Sequence, residues 1–425
     1  MADRPNVMLV CTDQHPWYGL GAVDGSFATP HLDRLADRGT LFTGCHSTYP
    51  QCSPARSSIV TGRYPHQTGM ETLFTWGPGG LDTDLPSVGR AFGDAGYETA
   101  YFGRWDLGRD NVERLGWETH DLDVTGTPGP RGRDRDTRTL AESLRFLTDR
   151  DGERPFFLTA SFNLPHPPYF EDGSFAGRSD RDVVSIPETF DDDLSDRPAF
   201  HRERAAEFDL DEPAVREVNY LFRTMVSRVD DYVGQLLDAL RRADLREETV
   251  VVFTADHGDM LGAHGLLRKG VVAYDEILRV PLVVDVPDRE SRRERVPDLV
   301  SLAALPGTLL DAAGLEHGLF DGGSVLDAFD RTNPPTDERV FFEHKHAHWG
   351  QHPYRGVRTR EWKFVEYLED SPDELYHVGE DPRETTNRSG DAECEEQESR
   401  LRELVREWWD RTDGDEGRWT APAGR

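Results

Sequence analysis

Lysine is almost absent from this chain. Lys269, Lys345 and Lys363 are its only three, so arginine supplies nearly all of the 49 basic residues. Against these stand 80 Asp and Glu, for a net charge of −31. A surface so short of positive charge excludes nucleic acid and anionic membranes as partners, because both would be repelled. The Asp/Glu-rich, arginine-only balance is that of a protein from a high-salt cytoplasm, with GC-rich codon usage as the competing explanation. On either account, each lysine needs a reason of its own.

Cysteine is scarce as well. Cys11, Cys45, Cys52 and Cys394 form no CxxC pair and no Cys/His cluster, so neither a zinc knuckle nor a disulfide framework is indicated, and a reducing compartment is expected. No apolar run reaches the ~18 residues that a membrane span requires. The opening MADRPNVMLVCTD lacks a basic n-region, an apolar h-region and a cleavage site. The expectation is a cytoplasmic protein. At 425 residues the chain has room for one large core or two domains, and it carries no internal repeat.

Short apolar runs alternating with amphipathic stretches predict an α/β fold, a large mixed, mainly parallel sheet flanked by helices. Strands are expected over 6–12, 97–102, 155–162, 249–255 and 280–286, with helices over 31–38, 57–61, 87–95, 137–150 and 214–242. Two segments rich in Asp, Arg, Gly and Pro, 108–136 and 171–213, read as long surface loops. Beyond about residue 330 the pieces RVFFEHK, YRGVRTR and EWKFVEY, followed by a helical pattern over 393–411, predict a smaller C-terminal subdomain with an antiparallel sheet and a helix. The expected division is 1–330 and 331–425.

Two predicted strands end in metal-ligand types. VMLVCTDQ delivers Asp13 and Gln14, and VVVFTADHGD delivers Asp256 and His257. In a doubly wound sheet the carboxyl ends of the strands face one crevice, where two carboxylates, an amide oxygen and an imidazole suit a divalent cation. Taken singly, each Asp also reads as a turn former or helix cap. In QCSPARSSIVTGR, Ser53-Pro54 has the form of an N-cap followed by proline, which puts Cys52 at a helix mouth with Arg56 one turn on. Three readings stay open for Cys52 on its own: a buried structural thiol, an anion site, and a thiolate nucleophile with a depressed pKa.

The whole run CSPARSSIVTGRYPHQTG strongly resembles the signature of the sulfatase family, whose members belong to the alkaline-phosphatase-like superfamily. NVMLVCTDQ, TPHLDRLADRGTLFTGCHS, GYETAYFGRWDLG, PHPPY, FTADHGDMLGAHGLLRKG, YDEILRVPL and ELYHVGEDPRETTN are similar to further family blocks in the same order, from residue 5 to about 390. The resemblance implies that Cys52 is converted by a formylglycine-generating enzyme to formylglycine, whose hydrate attacks a small-molecule or glycan sulfate ester. A second hydroxyl on the same carbon can then expel sulfate. It assigns Asp13, Gln14, Asp256, His257 and the modified Cys52 to one divalent cation, usually Ca2+, with Mg2+ or Mn2+ as alternatives. Arg56 would orient the hydrate, while His166 and Lys269 would hold ester oxygens.

Gln14 stands where most arylsulfatases carry a second aspartate, and this matches the choline-sulfatase-like and phosphonate-monoester-hydrolase branches. GRWDLG departs from the usual Gly-Lys-Trp-His-Leu-Gly, so Arg104 and Asp106 replace a lysine and a histidine near the formylglycine. That departure keeps a phosphodiester or phosphonate monoester hydrolase open beside a sulfuric ester hydrolase, and also a non-catalytic anion-binding relative or transferase.

Overall fold

The computed structural model describes residues 4–77, 79–124, 130–171, 173–178, 181, 184–287, 295–320, 322–329, 338–346, 350–368 and 371–415. In chain order the strands are β1 (Asn6–Asp13), β2 (Thr40–His46), β3 (Glu98–Arg104), β4 (Thr119–Asp123), β5 (Phe156–Pro165), β6 (Thr249–Ala255), β7 (Leu282–Asp285), β8 (Arg295–Ser301), β9 (Arg339–His344), β10 (Tyr354–Thr359), β11 (Lys363–Tyr367) and β12 (Glu374–Tyr376). The helices are α1 (Pro30–Arg38), α2 (Cys52–Thr61), α3 (Pro65–Thr68), α4 (Val88–Asp94), α5 (Pro130–Asp149), α6 (Ala199–Phe208), α7 (Glu212–Arg242), α8 (Asp275–Leu278), α9 (Leu305–Ala312) and α10 (Glu395–Arg411). The longest, α7, has the ends its sequence dictates. Asp211 caps it by accepting from the Ala214 N–H, Pro213 sits in its first turn, and Arg241 and Arg242 close it.

Strands β1 to β8 form one sheet in the order β4-β3-β5-β1-β6-β7-β2-β8. Seven strands run parallel, and β7 alone is antiparallel to both its neighbours, β6 and β2. Alternation along β1 divides the core. Val7, Leu9 and Cys11 pack with Ile59 and Val60 of α2, Phe92 of α4 and Leu309 of α9, whereas Met8 and Val10 pack with Leu35 of α1, Phe146 of α5 and Leu236 of α7. Helices therefore cover both faces, and β1 is buried along its whole length.

The second sheet, β12-β11-β10-β9, is antiparallel throughout. One face, with Phe341, Val357 and Phe364, packs on Trp408 and Trp409 of α10, and the other, with Phe342, Tyr354 and Val365, packs on Val271, Tyr274 and Ile277. The fold class is the one the sequence implies. One of its details differs. The segments expected to be loops contain structure, since 108–136 holds β4 and the start of α5, and 171–213 holds α6. The expected boundary at 330/331 lies outside the described residues.

Candidate active site

Four adjacent strands bring the site together. Across β3, β5, β1 and β6, Gly103, Ser161, Cys11 and Thr254 lie in one row. Just past that row, at the carboxyl edge, come Arg104, Asn163, Asp13 and Asp256, in the crevice where an open α/β sheet holds its ligands. The crowding explains Gly103, because a Cβ there would lie 2.0 Å from the Ser161 carbonyl oxygen. Strand β2 feeds the same edge, and the chain leaving it turns directly into α2.

Helix α2 is buried on every side, so it shows no amphipathic stripe. It begins two residues earlier than the Ser53-Pro54 pattern suggests. Gln51 is the N-cap, Cys52 is the first helical residue, and the Ser53 hydroxyl accepts the Phe74 N–H instead of capping. Cys52 is only 1 % exposed. Its Sγ lies 2.8 Å from Lys269 Nζ, 3.4 Å from His257 Nε2, 3.4 Å from Arg104 Nη2 and 3.8 Å from Asp13 Oδ1. Burial pushes its thiol up to about 12, and the Asp13 charge adds to this against Lys269 and Arg104. Desolvation thus outweighs the helix N-terminus, and a resting thiolate is disfavoured.

Asp13, Cys52, Asp256 and His257 present atoms within 4.8 Å of one another. Each donor is held in place. Asp256 Oδ1 accepts the N–H groups of Gln14 (3.0 Å) and His257 (2.9 Å), and its Oδ2 takes Arg56 Nε at 2.8 Å. His257 Nδ1 donates to the Gly258 carbonyl at 2.9 Å, leaving Nε2 as a lone-pair donor, and burial lowers the ring to about 4, so it is neutral. Asp13 would be raised by burial, but the permanent charges of Arg104, Lys269 and Arg56 hold it well below the usual carboxylate range. Gln14 adopts a left-handed backbone, φ 64°, and its Oε1 is buried with no hydrogen-bond partner. An orphaned amide oxygen costs ~1–3 kcal/mol unless something compensates it. Two carboxylates, an amide oxygen and a neutral imidazole fit a hard or borderline divalent cation.

The remaining expected residues converge too, though not all as expected. Arg56 bonds to Asp256, to Ser161 Oγ (2.8 Å), to the Arg104 carbonyl (3.0 Å) and to Asp13 (3.4 Å), and not to Cys52 Sγ. Arg104 reaches Asp13 at 2.6 Å, Asp106 at 2.7 Å and Asn163 at 3.3 Å. Asp106 is therefore paired, not bare. His166 donates from Nδ1 to the Pro167 carbonyl at 2.6 Å, and burial followed by the Lys269 charge holds the ring neutral.

Three residues that no motif had marked complete the arrangement. Ser161 and Asn163 brace the two arginines, and Asp259 accepts the Gln14 amide N–H at 2.6 Å. Asp259 was in view, three residues past Asp256 in TADHGD. Its partners were not, because they lie far off in sequence.

Comparison with known proteins identifies the family and the fold. The family model described as Sulfatase matches residues 5–315, and one described as N-sulphoglucosamine sulphohydrolase, C-terminal, matches residues 262–410. The uncharacterized sulfatase YidJ of Escherichia coli is 28% identical over 453 residues, covering 96% of this chain and 88% of its own. The choline-sulfatase of Rhizobium meliloti is 27% identical over 436 residues, covering 90% of this chain and 82% of its own. The phosphonate monoester hydrolase of Agrobacterium radiobacter shares the fold, with a TM-score of 0.81 at 22% identity over 96% of each chain. With the Sulfatase model matched from β1 through α9 and the metal-ligand types at the ends of β1 and β6 gathered around Cys52, the chain belongs to the sulfatase family of sulfuric ester hydrolases.

Proposed function

We propose that the chain hydrolyses sulfate esters with residue 52, converted from cysteine to formylglycine, as nucleophile, and with one divalent cation held by Asp13, Gln14, Asp256, His257 and the converted side chain. The supporting observation is the convergence of two carboxylates and a neutral imidazole nitrogen on a cysteine whose burial disfavours thiolate chemistry, with the buried, unpartnered amide oxygen of Gln14 next in sequence to Asp13. The cation, Ca2+ with Mg2+ or Mn2+ as alternatives, supplies Lewis-acid stabilisation of the sulfuryl oxygens. The sulfur marks the oxygen-bearing end of the converted side chain. Lys269, 2.8 Å from it, is placed to bond an ester oxygen where negative charge develops. Arg104, 3.4 Å away, stands beside it, and Asp106 sets how much of the Arg104 charge is free. His166 offers Nε2 for proton exchange with an ester oxygen. Arg56 acts by holding Asp13 and Asp256.

The substrate class is a sulfated small molecule or glycan. We read 1–330 as the catalytic domain and 331–425 as the C-terminal subdomain, in a reducing, cytoplasmic setting that four free, buried cysteines suit. No helix among the described residues is long and apolar enough to cross a membrane. The sharing of Arg104 between Asp13 and Asp106 supports a second reading, hydrolysis of phosphodiesters or phosphonate monoesters, because a partly neutralised cation suits any singly charged ester. Mass spectrometry of the peptide carrying Cys52 tests the main reading. An aldehyde is expected in active protein, with Cys52→Ala folded and inactive, and full activity from protein holding only unmodified cysteine would refute it.

A further inference from the structure

Asp259 is completely buried and lies at the junction of three segments that the site requires. Its Oδ2 accepts the Gln14 side-chain amide at 2.6 Å and the Tyr169 hydroxyl at 2.7 Å, and its Oδ1 accepts the backbone N–H of Arg268 at 2.8 Å and of Leu261 at 3.1 Å. Every contact is a donor to the carboxylate, so both oxygens are used only as acceptors. The consequence falls on Gln14. A primary amide can present either its oxygen or its NH2 to the metal-ligand cluster, and the two orientations have nearly the same shape. A carboxylate surrounded by four donors accepts from the Gln14 NH2 and has no proton to offer Oε1, which leaves that oxygen, buried and unpartnered, as the atom free to serve the cluster. The other oxygen fixes the turn just before Lys269, where Arg268 holds φ 65° and its carbonyl accepts the Met260 N–H at 2.9 Å.

We infer that Asp259 is a positioning residue that dictates the orientation of the Gln14 amide, and so makes position 14 a metal ligand, while the same carboxylate anchors the turn that carries Lys269. The inference rests on the metal reading given above. It separates Asp259 from a merely structural buried acid, because only an orientation device predicts rescue by a change of partner. In Asp259→Asn one face of the side chain becomes a donor, and Gln14 can turn its oxygen to meet it, which points NH2 at the cation. A glutamate at position 14 could accept from that new amide and still offer an oxygen to the metal. Beside Asp259, however, the same glutamate would set two carboxylates against each other.

The test is Ca2+ affinity, measured by chelator competition on wild type, Asp259→Asn, Gln14→Glu, the double variant and Tyr169→Phe. Each of the first two single changes should weaken Ca2+ binding by roughly 10–100-fold, as loss of a partner that orients a ligand does. The double variant should recover to within a few-fold of wild type, a coupling far outside additivity. Tyr169→Phe, which removes one hydroxyl from the same oxygen and is the least disruptive to folding, should weaken binding several-fold. Additive losses in the double variant, or wild-type affinity in either Asp259→Asn or Tyr169→Phe, would overturn the inference. A wild type that binds neither Ca2+, Mg2+ nor Mn2+ would overturn the metal reading itself, which the variants alone cannot do.

Discussion

Replacing Asp106 with Asn isolates the negative charge that this chain sets against Arg104 beside the reacting position. The choice of Asn follows from the backbone, since Asp106 sits at φ 55°, where Asn is tolerated and alanine would be strained. Oδ2 lies 2.7 Å from Arg104 Nη2, and Nη2 lies 3.4 Å from Cys52 Sγ, so the carboxylate is within about 6 Å of the reacting position. Asp106 is 3 % exposed and solvent screens it little. At an effective dielectric of ~20, a second negative charge on the substrate at ~6 Å is disfavoured by about 3 kcal/mol, or on the order of 100-fold in rate. Wild type should therefore prefer sulfate monoesters and phosphodiesters over phosphate monoesters, which carry two charges. Asp106→Asn should raise kcat/KM for aryl phosphate relative to aryl sulfate by up to ~100-fold, and Asp106→His should move the profile toward ordinary arylsulfatase behaviour. The assay is that ratio at fixed pH on protein shown to carry the aldehyde. An unchanged ratio in a variant that melts like wild type would refute the reasoning, as would a wild type that prefers phosphate monoesters.

Other perturbations follow from the same charges. Lys363 is buried between Asp275, at 2.6 Å, and Glu384, so Lys363→Met should cost about 3–5 kcal/mol in denaturant unfolding, and a loss under 1 kcal/mol would show the pair to be unimportant. Asp230 accepts the first N–H groups of α1, from His31 and Leu32, while burial pushes its carboxyl up to about 7. The folded state then holds this proton to higher pH than the unfolded state does, so stability falls as pH rises from ~4 to ~7. Asp230→Asn should melt above wild type by a margin that grows across that window, worth at most about 4 kcal/mol, and a constant margin would refute the assignment. Because a net charge of −31 repels itself, melting temperature should climb from ~0.1 M to molar KCl as the screening length shrinks from ~10 Å to ~3 Å. A flat salt profile would favour codon usage as the origin of the composition.

What the sequence made legible tracks burial. Strands β1, β5 and β6 are continuous apolar runs because helices cover both faces, and they are recognised from that alone. Three strands of the large sheet were missed: β2, buried but with its apolar run TLFTGCH interrupted by Thr and Gly, and the two outermost, β4 and β8. THDLD of β4 is half exposed and charged, and RVPDLVS of β8 contains a proline, both as expected for sheet edges. Helix α5 starts earlier than its apolar periodicity because its first turns, PRGRDRD, have no apolar stripe to reveal them. At the site, Lys269 was found through scarcity. The three lysines now each have a partner: Cys52 for Lys269, Glu71 for Lys345, and Asp275 with Glu384 for Lys363. Asp259 was not found, because its hydrogen bond to Gln14 spans 245 residues and leaves no local pattern.

The burial of α2 has a consequence for the order of events in making this protein. All ten residues from Cys52 to Thr61 are enclosed, and the helix packs against α9 and the middle of the large sheet. A modifying enzyme has to reach the Cys52 side chain, which is 1 % exposed inside a wholly buried helix and is open to another protein only before the sheet closes over it. The conversion that we propose for Cys52 therefore belongs to the nascent chain. Protein that folds with its thiol intact is committed to that state, and supplying the modifying enzyme afterwards would recover activity only to the extent that the whole domain is first unfolded.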